Sequence, residues 1–173
     1  MSGGPWRSVE PFHVKTPQTS RIGRVGELSH VDEPSGAVRM VDVGAKPLSR
    51  RHAVARGTVL MAPETVQRLR DLPKGDAFVV AQLAGIMAAK RTSELIPLCH
   101  PLPLTQVEVG LVVVDDGVEI AASAETTAQT GVEMEALVAV TVAALTVYDM
   151  AKGIDKGMEI TDIELVEKTK APL

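Results

Sequence analysis

The sequence predicts an α+β fold: a ferredoxin-like split βαβ plan with one additional helix, its antiparallel sheet covered by helices. Three observations lead there. Residues 105–114 and 118–124 alternate apolar with polar or small side chains around Asp116-Gly117, the pattern of a β-hairpin. Residues 77–90 and 133–152 are long segments rich in Ala, Val, Leu, Ile and Met, which suits helices. Strand-like runs at 53–61 and 158–168 bracket these elements, giving the order strand, two helices, hairpin, helix, strand.

Residues 1–26 hold Gly, Pro, Ser, Thr and scattered Arg without periodicity, and read as a mobile extension before a single domain spanning 27–173. The first strand includes Val54, Thr58, Val59 and Leu60. Pro63 then suits the first turn of a short helix that stops near Asp71, with Glu64 favourable at its positive end. After the Lys74-Gly75-Asp76 turn, Asp76 is the expected N-cap of the helix over 77–90, whose apolar ring predicts burial on most sides. Pro97, Pro101 and Pro103 forbid a continuous helix and make 96–104 a constrained loop. Thr130 and Glu133 have capping-box spacing ahead of the long helix, which ends near Gly153.

Composition narrows the functional classes. Hydrophobic residues make up 45% and aromatics only 2%, so the core is built from small and aliphatic side chains. A formal charge of −4 argues against a general nucleic-acid or membrane-surface function. The lone Cys99 excludes an internal disulfide and any CxxC metal or redox arrangement, which fits a reducing, cytoplasmic setting. The chain shows no apolar secretory core and no uninterrupted apolar stretch of spanning length, so a soluble protein is expected. Dinucleotide-binding, Walker A, HExxH and GxSxG patterns are missing, and the four histidines lack metal-ligand spacing.

The residues left for chemistry fall into a few places. Leu98-Cys99-His100 sits in the proline-stiffened loop; Cys99 reads best as a small buried residue, and spacing leaves His100 evenly balanced between a structural hydrogen bond and a ligand contact. Asp149 and Lys152, three residues apart, share a helical face, where a carboxylate beside an ammonium can exchange protons; pattern alone favours an ordinary surface ion pair. Glu133, Met134 and Glu135 open the same helix, with Glu133 read first as a capping residue. Lys46 with Arg50 and Arg51, Lys74, Lys152 with Lys156, and Lys168 with Lys170 would form a phosphate pocket if the fold gathered them, and are solvated surface charge otherwise.

Four motifs in one order tie these places together. Met40-Val41-Asp42-Val43-Gly44-Ala45-Lys46 is the first, and Ala88-Ala89-Lys90-Arg91-Thr92 through Leu95-Ile96-Pro97-Leu98-Cys99-His100-Pro101-Leu102 the second. Gly131-Val132-Glu133-Met134-Glu135-Ala136-Leu137 and Ala143-Ala144-Leu145-Thr146-Val147-Tyr148-Asp149-Met150 complete the set. Over residues 28–170 the chain resembles the cyclic pyranopterin monophosphate synthase family of molybdenum-cofactor biosynthesis.

The resemblance implies a lyase acting on a 3',8-cyclised dihydroguanosine triphosphate supplied by a radical SAM partner enzyme. It implies release of pyrophosphate with closure of a cyclic phosphate, no cofactor or metal of the enzyme's own, and a homohexamer built as a trimer of dimers. Carried over by motif, Asp149 resembles the family's catalytic carboxylate and Lys152 its acid-base partner, with Lys74 and His100 as further catalytic groups. Leu98, Cys99, His100, Glu133, Met134, Glu135, Arg51 and Lys168 resemble the substrate contacts. The rival reading is a ferredoxin-like ligand-binding or regulatory module without catalysis, since that fold hosts many functions.

Overall fold

A computed structural model describes residues 31–32 and 37–173; the expected mobile extension at 1–26 lies outside the described residues. A two-stranded ribbon, β1 (Val31–Asp32) with β2 (Ala37–Val38), precedes the main body. The body runs β3 (Ser49–Leu60), α1 (Pro63–Val66), α2 (Ala77–Ala89), α3 (Thr92–Leu95), β4 (Leu104–Val114), β5 (Gly117–Ala128), α4 (Glu133–Ala151) and β6 (Glu159–Pro172). Its sheet is antiparallel throughout, in the order β4-β5-β3-β6, so β3 lies between the hairpin and the final strand. That is the split βαβ order expected from the sequence.

Local chemistry explains where the elements begin and bend. Pro63 occupies the start of α1, and the carboxylate of Asp155, from the loop after α4, accepts hydrogen bonds from the Ala62 amide at 2.9 Å and the Thr65 hydroxyl at 3.1 Å. The bond from the Ala62 amide first, then one from the Gly157 amide at 2.9 Å, hold the Asp155 carboxyl below its ordinary range, with the Thr65 bond a smaller addition. The helix predicted to reach Asp71 is helical only to Val66 and continues as turns. Asp76 caps α2 as expected, accepting from Phe78 N at 2.8 Å and Val79 N at 3.4 Å. The short helix α3 before the proline loop went unpredicted. Strand β6 bulges against β3, with Asp162 at φ 54°.

Two helices, α2 and α4, cover one face of the sheet. Ala136, Ala139, Val140, Ala143, Ala144, Val147 and Ala151 form a buried stripe on α4 at helical spacing, opposite Ala53, Ala55 and Val59 of β3 and Ile120, Ala122 and Ala124 of β5. Small side chains bring the layers close. At Gly85 of α2 an added Cβ would meet the Ala139 carbonyl oxygen at 2.9 Å, so glycine permits this α2–α4 approach.

Burial of α2 on most sides does not hold. Ala77, Phe78, Ala81, Gly85, Ala88 and Ala89 are buried, but Val79 and Leu83 are each 59% exposed and Met87 44%. Only the small-residue face meets α4 and β4, because α2 is the outer helix of a two-layer structure.

Candidate active site

Helix α4 carries candidate residues at both its ends. Its N-terminus differs from the predicted capping box: Val132 is the N-cap, and no side chain caps the first turn. Thr130 lies two residues before the N-cap of a helix that starts at Glu133, too far to cap it, and the Glu133 carboxylate turns instead to Lys168 of β6, at 3.4 Å.

Around this end lies a cavity of about 570 Å³. Leu98, Cys99, His100, Glu133, Met134, Glu135 and Lys168 all line it, together with Val41, Lys46 and Thr130. The proline loop, the first turn of α4 and β6 thus meet at one place from three distant parts of the chain. Arg51 opens onto an adjoining cavity of about 190 Å³ that shares Gly131, Glu133 and Lys168 and adds Lys170. Its guanidinium donates to the Gln129 carbonyl at 3.3 Å.

Glu135 is only 4% exposed. Burial, and secondarily the charge of Glu133, pushes its carboxyl up, against a lowering hydrogen bond from its own backbone amide. Burial and then Glu135 likewise push the Cys99 thiol up, which disfavours the thiolate; Cys99 is only partly buried and lines the cavity, unlike the small buried residue expected from the sequence.

At the other end of α4, Asp149 accepts from Lys152 Nζ at 2.6 Å and from Lys74 Nζ at 2.8 Å. Lys74 also reaches the Asp149 main-chain carbonyl at 3.2 Å. It is presented by a turn in which Gly75 has φ 106°, a conformation open to glycine at little cost. The Lys152 hydrogen bond first and the Lys74 bond second hold the Asp149 carboxyl down at about 2, and Asp149 raises Lys152 in return. All three side chains are about half exposed, at 53–56%.

The sequence candidates therefore form two groups rather than one. Glu135 and Asp149 are 14 residues apart on a single uninterrupted helix, roughly 21 Å at about 1.5 Å per residue.

The MoaC family model matches residues 40–171, a span that includes both groups. The chain belongs to the MoaC family. Among MoaC relatives, a protein of Thermomicrobium roseum named cyclic pyranopterin monophosphate synthase is 60% identical over 148 residues, covering 83% of this chain and 89% of the relative. One of Heliobacterium modesticaldum with the same name is 60% identical over 146 residues, covering 82% and 91%. The Streptomyces avermitilis protein, also so named, is 58% identical over 144 residues, covering 82% and 84%.

Some lining residues of this MoaC chain escaped the sequence reading. Val41 and Val43 sit in a turn whose marker was visible, Asp42 two residues before Gly44, the spacing at which an aspartate accepts from a main-chain amide. Leu102, Thr130 and Leu165 carry no such signal, because only the folded chain brings them to the cavity.

Proposed function

We propose that this chain is a cyclic pyranopterin monophosphate synthase. It converts (8S)-3',8-cyclo-7,8-dihydroguanosine 5'-triphosphate to cyclic pyranopterin monophosphate and pyrophosphate in molybdenum-cofactor biosynthesis, in the cytoplasm, on substrate supplied by a radical SAM partner enzyme. The observation that carries this reading is the convergence of Leu98, Cys99, His100, Glu133, Met134, Glu135 and Lys168 on one cavity in a chain of this family.

The residues divide the work by charge and placement. Lys74, Lys152, Lys168 and Arg51 neutralise the triphosphate, and do so more strongly as charge develops on the departing pyrophosphate. Asp149 and Lys152 move protons during ring opening and closure. With its carboxyl held at about 2 in the free protein, Asp149 is a weak base. Phosphate oxygens arriving at Lys74 and Lys152 compete for their N–H groups and raise the proton affinity of Asp149, so substrate binding itself strengthens the base. His100 and Glu135 act at the rings.

The complete site is shared between chains of a homohexamer arranged as a trimer of dimers. Two facts support this part of the reading: the span between Glu135 and Asp149 on one straight helix, and the exposed apolar row Val79, Leu83 and Met87 on α2. Turnover of the cyclised triphosphate by purified protein, followed as pyrophosphate and cyclic product, is the deciding experiment. Tight binding without turnover would instead identify a ligand-binding module.

A further inference from the structure

The second nitrogen of His100 and the turn at residues 41–46 enter no step above, yet they are joined. His100 Nε2 lies 2.9 Å from the Val41 carbonyl oxygen. That oxygen only accepts, so the nitrogen facing it carries the proton, and in the neutral ring Nδ1 is then the bare acceptor. Among the described residues no protein group hydrogen-bonds to Nδ1.

The turn that presents Val41 is itself held. Gly44 N donates to Asp42 Oδ1 at 2.8 Å and Lys46 N to the Val43 carbonyl at 2.9 Å, closing the turn on itself. Gln129 Nε2 donates to the Gly44 carbonyl at 3.1 Å and ties the turn to the end of β5. The main-chain carbonyl of the same Gln129 accepts from Arg51. One residue outside the cavity lining thus fixes both the support of His100 and the guanidinium of the adjoining cavity.

We propose that Gln129 and the Asp42-to-Lys46 turn are a positioning device that holds His100 as the Nε2–H tautomer, so that Nδ1 is the nitrogen offered to the substrate. Gln129 is a positioning residue; the proton-accepting atom is His100 Nδ1. The second half of the statement rests on the reading that the cavity receives the cyclised nucleotide, whereas the tautomer itself is a property of the free protein.

The test uses full-length protein with 15N-labelled histidine, the His100 signals being assigned by their loss in His100→Gln. Two-bond 1H–15N correlation spectra of the wild type are expected to show a protonated Nε2 and a bare Nδ1 in the neutral ring. Gln129→Ala is expected to mix the tautomers and to lower kcat ten- to hundredfold with a smaller change in KM, the scale on which misplacement of a reacting group acts. Asp42→Ala loosens the same turn from its exposed side and gives a second reading if Gln129→Ala is poorly folded. An Nδ1–H ring in the wild type, or an unchanged tautomer ratio in both turn variants, overturns the proposal. Absence of turnover by a wild type that shows the expected tautomer would overturn the catalytic assignment and leave the positioning device standing.

Discussion

A carboxylate gripped by two ammonium groups is poorly suited to take a proton until something draws those groups away. Asp149 is so placed between Lys152 and Lys74. Asp149→Asn and Lys152→Ala are expected to leave circular dichroism unchanged, since both side chains are half exposed, while lowering product formation by about 10²–10⁴-fold. Wild-type turnover by either soluble variant would remove the pair from the mechanism. Lys74→Ala is expected to weaken binding of the triphosphate more than that of a dephosphorylated analogue; equal weakening would deny Lys74 a phosphate contact. Glu135 makes a different prediction. Its folded-state pKa is raised, chiefly by burial, so the stability of the protonated form is present below the ordinary carboxylate value and is lost as pH rises through the folded one. Glu135→Gln cannot ionise, and its Tm relative to wild type is expected to be higher at pH 8 than at pH 5. A difference that does not change between the two pH values would contradict that assignment.

Among the elements, those with punctuation in the sequence were the legible ones. Asp76 announces α2, Asp116-Gly117 announces the hairpin, and the alternation of β4 and β5 fixes which side faces α4. Asp76→Ala is expected to cost about 1 kcal/mol in urea denaturation, the usual loss for an N-cap, with its ion pair to Arg70 as a minor addition. The start of α4 was misread because Thr130 and Glu133 have the spacing of a box, and spacing does not reveal that Glu133 has a partner on β6. The exposed side of α2 was misread for a related reason. An all-apolar helix carries no mark of which face its own chain will cover, and only the small residues Ala81, Gly85 and Ala88 hint at the α4 contact. Gly85→Ala places a methyl against the Ala139 carbonyl and is expected to cost about 1–3 kcal/mol as the helices part.

At the scale of the whole molecule, sequence motifs picked out candidate residues but not their grouping. Residues 98–100 and 133–135 meet because β4 follows the proline loop into the sheet that α4 covers, a long-range relation with no local signature. That Asp149 stands apart follows from helix length alone. On the shared-site reading, neither Glu133→Ala nor Asp149→Asn chains alone are active, and co-assembled mixtures are expected to regain part of the wild-type rate. Verified mixed oligomers with no recovery would mean that each chain holds a complete site.

The central place of β3 also has a consequence for synthesis. Ser49 to Leu60 emerge early from the ribosome, β5 joins them on one side, and the other side waits for β6, the last strand of the chain. At about 5–20 residues per second, the interval from the end of β5 to the end of β6 is roughly 2–9 s. For that time the nascent chain has an open edge on its middle strand, without Lys168, Lys170 or the floor they give the cavities. A ribosome stalled before residue 159 would therefore display a half-sheet whose open edge can pair with a neighbouring copy.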